Sequence, residues 1–327
     1  MSQAVTVRVP ASTSNLGGGF DCVGVAVDRW LEVTVTLAAG RGGFTVARRG
    51  TLTSYTGPAA DDRLVTGFAA ACRRAAREVP DAVAFDATST IPVGRGLGSS
   101  AAATLAGVIA ANALLELGLS DLAVATLAAE LEGHPDNTAP ALFGGARLAL
   151  TGADRSLVVT ALVVHESLAL VFAVPDFSIE TTAARAVLPP ALPHATATRA
   201  AALGAALVHG LATADGRLLA AALDDVLHVP FRRRLIAGYE AVTAAAQHAG
   251  AFGATLSGSG STIVAIAPVR AAPEVARSMV AAWHAQGIAA EGFVNPPAVG
   301  GAVVTRADSA PAPGASPARS RQPGITV

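Results

Sequence analysis

The chain has 327 residues and a formal net charge of −1, with 52% hydrophobic and 14% charged residues. That is length for about two domains, and the composition excludes a disordered or coiled-coil chain. All 23 residues counted as Lys+Arg are arginines, which excludes Schiff-base and pyridoxal phosphate enzymes, the lysine-bearing phosphate loop and ordinary protein-kinase chemistry, each of which needs a lysine amine.

Residues 1–10 carry no basic region ahead of an apolar core, so no signal peptide is expected and a cytosolic enzyme is the default. Residues 4–9 alternate as a strand does, and 20–27 and 31–37 give two further extended segments, LEVTVTL being the clearest. Helices are expected over 63–78, 99–117 and 120–132, the last with Ser120 and Asp121 placed to cap it, and a strand over 83–90. Cys22 and Cys72 sit in apolar stretches and read as buried thiols, too few for a disulfide framework or a Cys-rich zinc site.

Beyond Gly144-Gly145 the pattern turns to strands at 146–150, 157–164 and 168–174, then to helices at about 182–188, 195–212, 216–227 and 233–249. The uncharged run 241–269 contains Gln247, His248 and a glycine-rich turn, so it reads as helix, turn and strand and not as a membrane span. A strand at 254–256, a Gly/Ser turn, a strand at 262–267, a helix at 272–286 and a strand at 289–294 complete the ordered part. Strands and helices are mixed without regular βα alternation, which makes this an α+β chain in two halves, 1–153 and 154–304. Residues 305–327 collapse to Ala, Pro, Ser, Gly and Arg and read as a disordered tail. The arginines are scattered, so neither nucleic acid nor a membrane is an expected partner.

The chemistry concentrates in a few segments. IPVGRGLGSSAAA at 91–103 is a glycine-rich turn between a strand and a long helix. Gly94, Gly96 and Gly98 let backbone N–H groups approach a ligand, while Ser99 and Ser100 stand at the positive end of the helix, an arrangement suited to phosphate. VPASTSNLGGGFD lies at 9–21, LEGHPDNTAPAL at 131–142 with Glu130 just before it, and GATLSGSGSTIVAI at 253–266. ETTAARAVLP at 180–189 and HVPFR at 228–232 each carry an arginine, a group suited to a carboxylate.

In order and spacing these segments resemble the motifs of the GHMP small-molecule kinases, and in their N-L-G-x-G-F-D and H-x-P-[YF]-R forms those of the homoserine kinase family. The resemblance runs over about residues 4–295. It implies an N-terminal domain like that of ribosomal protein S5, a ferredoxin-like C-terminal domain, and ATP-dependent phosphorylation of the L-homoserine hydroxyl in threonine biosynthesis. Small-molecule substrates are then the partners, and a homodimer is left open.

By the same resemblance, ATP lies on Pro92, Gly94, Arg95, Gly96, Leu97, Gly98, Ser99, Ser100 and Ala101, and Mg²⁺ on Ser100 and Glu130. Homoserine meets Asp21 through its ammonium and Arg185 and Arg232 through its carboxylate, with Gly258 nearby. Asn15, Thr181, Asp136 and Asn137 serve catalysis, Asn15, Thr181 and Asn137 by orienting the hydroxyl. Asp136 and the γ-phosphate itself are both candidates for the base, whereas His134 reads as part of a structured turn. Arg233 and Arg234 read as surface residues. Arg63 stands where the family tends to have an asparagine near adenine, Gly18 and Ser261 where it has prolines. These departures keep another hydroxy-amino acid open as substrate, with a non-catalytic ligand sensor as the remote alternative.

Overall fold

The computed structural model describes residues 4–38, 42–154 and 156–306. The N-terminal alternation forms β1 (Ala4–Asn15), antiparallel to β2 (Gly19–Leu37), and the two expected segments of β2 are one 19-residue strand. The pair shifts register between Pro10 and Ala11, and the strand bends there as bulged strands do. β3 (Gly43–Gly50) was not foreseen: it is an edge strand in which Phe44 and Val46 pack against the core while Arg48, next on that face, pairs with Asp62, so its apolar alternation is too short to mark it. Asp62 caps α1 (Arg63–Arg74), its side chain accepting from the Leu64 N–H. β4 (Ala82–Ser89) then pairs with β2 and, in parallel, with β3.

Next come α2 (Ser99–Leu114), α3 (Asp121–Glu132), capped by Ser120, and the short α4 (Thr138–Phe143). Eleven residues of α2 are buried, including Leu105, Val108 and Ile109, so this helix runs through the core instead of lying on it. Gly67 of α1 and Gly107 of α2 let the two helices touch backbone to backbone, since a Cβ at either would lie 2.4 or 2.1 Å from a carbonyl of the other. β5 (Ala146–Thr151) pairs with β2, and β6 (Leu157–Leu162) with β5.

The second half opens with β7 (Leu168–Pro175), buried along its whole length, and five helices follow: α5 (Thr181–Ala186), α6 (His194–Thr213), α7 (Gly216–Leu223), α8 (Val229–Arg232) and α9 (Tyr239–His248). Then come β8 (Gly253–Leu256), β9 (Ile263–Pro268), α10 (Ala272–His284), β10 (Ala290–Val294) and β11 (Val303–Arg306). The four-stranded sheet runs β10-β7-β9-β8, all antiparallel, which is the ferredoxin-like order. One face meets α9 and α10 through Val242, Val275, Met279 and Trp283. The other joins the main core through Phe172, Val264 and Ile266, next to Leu207, Leu211 and Leu219 of α6 and α7. Burial on both faces accounts for the unbroken apolar run of β7.

The larger sheet is ordered β11-β1-β2-β4-β3, with β5 and β6 branching from β2. Strand pairing therefore continues past residue 153 into β6 and returns with β11. Thr305 and Arg306, expected to begin the tail, are paired with Thr6 and Val5 of β1; residues 307–327 of that expectation lie outside the described residues.

Candidate active site

The first site element is a turn that the chain can make only with unusual backbone angles. Asn15, Leu16, Gly17 and Asp21 all have positive φ, at 74°, 47°, 74° and 55°. For three side-chain-bearing residues in seven positions this is strain of the kind that clusters at functional sites. Asn15 locks the turn: its Oδ1 accepts from the Asp21 N–H at 2.9 Å, and its Nδ2 donates to the Gly258 carbonyl at 2.9 Å. The expected hydroxyl contact is thus a buried strut joining the first motif to the third.

The glycine loop leads into α2. Gly94, Gly96 and Gly98 have φ of 67°, 73° and 67°. A Cβ at Gly96 would lie 2.1 Å from the Ser257 carbonyl and one at Gly98 2.2 Å from the Ser12 Oγ, so both must be glycine. The loop's acceptors are engaged from behind: Ile179 N–H reaches the Gly94 carbonyl, Thr262 N–H that of Arg95, Ser257 Oγ that of Gly96 and Ser12 N–H that of Leu97. Among the described residues no partner is bonded to the loop's N–H groups, and α2 has Gly98 as its N-cap with no side-chain cap, a start suited to an anion. The Arg95 guanidinium turns back to the Pro175 carbonyl, and burial lowers its pKa.

The expected partner of Ser100 is corrected. Glu130 faces outward on α3 and pairs with Arg74. Glu132 stands in its place, accepting from Ser100 Oγ at 3.0 Å and from Thr104 Oγ1 at 2.7 Å, with its side chain 7% exposed and Arg63 at 3.8 Å. Two positions along a helix is a turn of about 200°, so the two glutamates occupy opposite faces.

His134, Asp136 and Asn137 occupy the turn between α3 and α4. His134 Nδ1 is 2.5 Å from Asp136 Oδ1. Burial disfavours the charged ring, but the hydrogen bond and charge of Asp136 outweigh it and raise the His134 pKa. Asn137 accepts from Ser12 Oγ at 2.9 Å and donates to Ser14 Oγ at 3.0 Å. The turn presses on β2 so closely that a Cβ at Gly24 would stand 1.8 Å from the Asp136 carbonyl.

Across the cleft Arg185 grips Asp21 with both terminal nitrogens, at 2.9 and 3.2 Å. Arg232 is 2% exposed and donates from Nε to the Ala184 carbonyl at 3.0 Å. Burial and the adjacent Arg185 lower its pKa to about 10. Arg233, by contrast, is a half-exposed surface residue 3.9 Å from Glu240.

One cleft of about 580 Å³ connects these parts. Its lining holds the loop from Gly94 to Ala101 together with Asn15, Asp21, Glu132, Asp136, Asn137, Thr181, Arg185, Arg232 and Gly258, and it also includes Leu52, Tyr55 and Leu64 beside Arg48, Asp62 and Arg63. Pro92 and Glu130 are not among its lining residues. Beyond Glu132, the sequence reading missed His134 at the lining and the buried pair Asp225 and His228 behind Arg232. No helix among the described residues is long and apolar enough to cross a membrane.

Known proteins resemble this chain over most of its length. Residues 63–145 match the model for the GHMP kinases N terminal domain and 207–285 that for GHMP kinases C terminal. A homoserine kinase of Synechococcus sp. is 41% identical over 284 residues, 87% of this chain and 92% of the relative. One of Gloeobacter violaceus is 41% identical over 286 residues, 85% and 92% of the two chains. The crystal structure of homoserine kinase from Cytophaga hutchinsonii superposes with a TM-score of 0.82 at 30% identity, covering 92% of this chain and 97% of that one. Mevalonate diphosphate decarboxylase from Staphylococcus aureus, 14% identical with a TM-score of 0.68 over 93% of this chain and 98% of its own, shares the fold. With that identity over most of its length, and with the motif residues gathered along one cleft, the chain belongs to the homoserine kinase family of the GHMP kinases.

Proposed function

We propose that the chain transfers the γ-phosphoryl group of ATP to the side-chain hydroxyl of L-homoserine. The observation that carries this reading is the pairing of two ends in one cleft. At one end lie an uncapped helix start and a loop whose carbonyls are already bonded; at the other, one carboxylate and two guanidiniums lie within reach of one small molecule. The first end suits phosphates. The second suits a zwitterion, with the ammonium on Asp21 and the carboxylate between Arg185 and Arg232.

Phosphoryl transfer asks the protein mainly for positioning and charge neutralisation. The end lined by Leu52, Tyr55 and Leu64 would hold the base of the nucleotide, and the donors of the loop and first turn of α2 its phosphates. The hard oxygen donors Ser100 and Glu132 fit Mg²⁺, which would neutralise phosphate charge when bound. Thr181, at the start of α5, would orient the substrate hydroxyl. Asn15 acts one step removed, by holding Asp21 and Gly258 in register. Asp136, which lines the same cleft, or the γ-phosphate itself would receive the hydroxyl proton.

The test is ADP release from ATP over homoserine, threonine, serine, mevalonate and galactose. Homoserine should give the highest kcat/KM; preference for another hydroxy-amino acid would replace the substrate while keeping the reaction class.

A further inference from the structure

Behind the cleft, out of reach of any ligand, lies a buried group that the transfer itself does not use. His228 has no exposed surface, and its ring stacks on Phe20 with centroids 4.9 Å apart and planes 19° from parallel. The Arg232 guanidinium lies over the same Phe20 ring, 5.3 Å from its centroid. Arg232 donates from one terminal nitrogen to His228 Nδ1 at 3.3 Å and to the Gly258 carbonyl at 3.4 Å. A guanidinium has no acceptor, so Nδ1 must be the unprotonated nitrogen and the proton sits on Nε2. Nε2 lies 3.7 Å from Asp225 Oδ2.

Asp225 fixes the backbone that carries this ring. Its two oxygens accept from the N–H groups of Leu227, His228 and Val229 at 3.0, 2.7 and 2.8 Å. The chain then makes the single turn of α8, closed by the Arg232 N–H on the His228 carbonyl. His228 and Arg232 thus stand at i and i+4, on one face of one turn. Neutral His228 can accept from Arg232, whereas a protonated ring would set two cations together in a buried site. Burial, ahead of every other influence, holds the His228 pKa down to about 4, so the accepting form prevails at neutral pH.

We infer that His228 is a positioning residue for substrate recognition: as a neutral acceptor stacked on Phe20, and carried by the Asp225-anchored turn, it aims the Arg232 guanidinium at the substrate carboxylate. This rests on the reading that Arg232 takes that carboxylate. It adds a division of labour between the arginines, Arg185 being hydrogen-bonded by the carboxylate of Asp21 and Arg232 by the neutral groups of Ala184, His228 and Gly258.

The test is steady-state kinetics with homoserine and with ATP for four variants. His228→Phe keeps the stacking ring and removes the acceptor; His228→Asn keeps an acceptor near Nδ1; His228→Gln puts its amide near Nε2; Arg232→Ala is the reference. Losing a hydrogen bond to a charged group should raise KM for homoserine by roughly ten- to a hundredfold in His228→Phe and His228→Gln. In both, KM for ATP should stay within about twofold and kcat fall far less than KM rises, while His228→Asn recovers most of the loss. If His228→Phe folds poorly, the Asn and Gln pair decides alone. Unchanged homoserine KM in His228→Phe or His228→Gln, beside a large rise in Arg232→Ala, would overturn the inference and leave the substrate reading standing. Equal damage to both substrates, or equal damage by Asn and Gln, would make His228 merely structural. No effect of Arg232→Ala on homoserine KM would remove the clamp and this inference with it.

Discussion

Asp21 and Arg185 hold each other through two parallel hydrogen bonds, 2.9 and 3.2 Å long, across the floor of the cleft. They carry the charges opposite to the two ends of an amino acid. A zwitterion entering between them exchanges one ion pair for two, leaving neither group uncompensated. A ligand with a single charge frees one partner and satisfies only the other.

This exchange predicts a substrate pattern. 3-Amino-1-propanol keeps the amine and hydroxyl and lacks the carboxylate, while 4-hydroxybutyrate lacks the amine. Each should be poorer than homoserine by about 1.5 to 3 kcal/mol in kcat/KM, the size of one charged hydrogen-bonded contact. Arg185→Ala should hurt homoserine strongly and change the already poor rate with 3-amino-1-propanol little, a cycle that isolates the contact from general damage. Equal losses on both compounds would assign Arg185 a structural role.

Glu130 and Glu132 offer a second comparison. Glu132→Gln and Ser100→Ala should each lower kcat by about two orders of magnitude, the scale of losing one electrostatic contact to developing charge. Glu130→Gln should leave kcat within about twofold, because an exposed ion pair such as that with Arg74 contributes at most ~1 kcal/mol. Kinetics at varied Mg²⁺ separates the two, and a strong effect of Glu130→Gln would refute the placement of the metal.

The two glutamates show how much of the site the sequence carries. The glycine loop and the start of α2 were legible because backbone geometry there tolerates nothing but glycine at positions 96 and 98. The face of α3 was not, because DLAVATLAAELE is apolar on too many sides to set a phase, and the buried stripe Val124, Leu127 and Ala128 is known only once α2 lies against it. β3 and β11 escaped for a related reason. Val303 and Val304 stay exposed, and β11 exists only as the partner of a strand some 300 positions earlier. His228 could be read as part of a motif, yet its task comes from Phe20 and Asp225, which local sequence does not connect.

Arg63 should tune the nucleotide end. Its guanidinium lies 3.8 Å from Glu132 and lines the cleft beside the first turn of α2. Arg63→Ala should raise KM for ATP several-fold, on the scale of ~1 kcal/mol for a half-exposed charge, and leave KM for homoserine unchanged. An effect confined to homoserine would show that this end of the cleft does not hold the nucleotide.

The two site histidines should oppose each other in pH dependence. The folded pKa of His228 is depressed from 6.5 to about 4, chiefly by burial. Between those values the unfolded chain binds a proton that the folded chain does not, so stability falls as the pH drops through that window. At ~1.4 kcal/mol per pKa unit the loss is on the order of 3 kcal/mol. His134 is the reverse case. Although burial works against the charge, Asp136 raises its folded pKa, so its contribution is fully present below the ordinary histidine value and is lost as pH rises through the raised one. Melting temperatures recorded from roughly pH 4 to 9 should show both slopes, one on each side of the ordinary histidine pKa. His228→Asn should flatten the acid limb alone, and His134→Gln the limb above the ordinary histidine pKa alone. If His228→Asn leaves the acid limb as steep as in the parent chain, carboxylates and not this ring set it, and the ring is not the neutral acceptor that Arg232 requires.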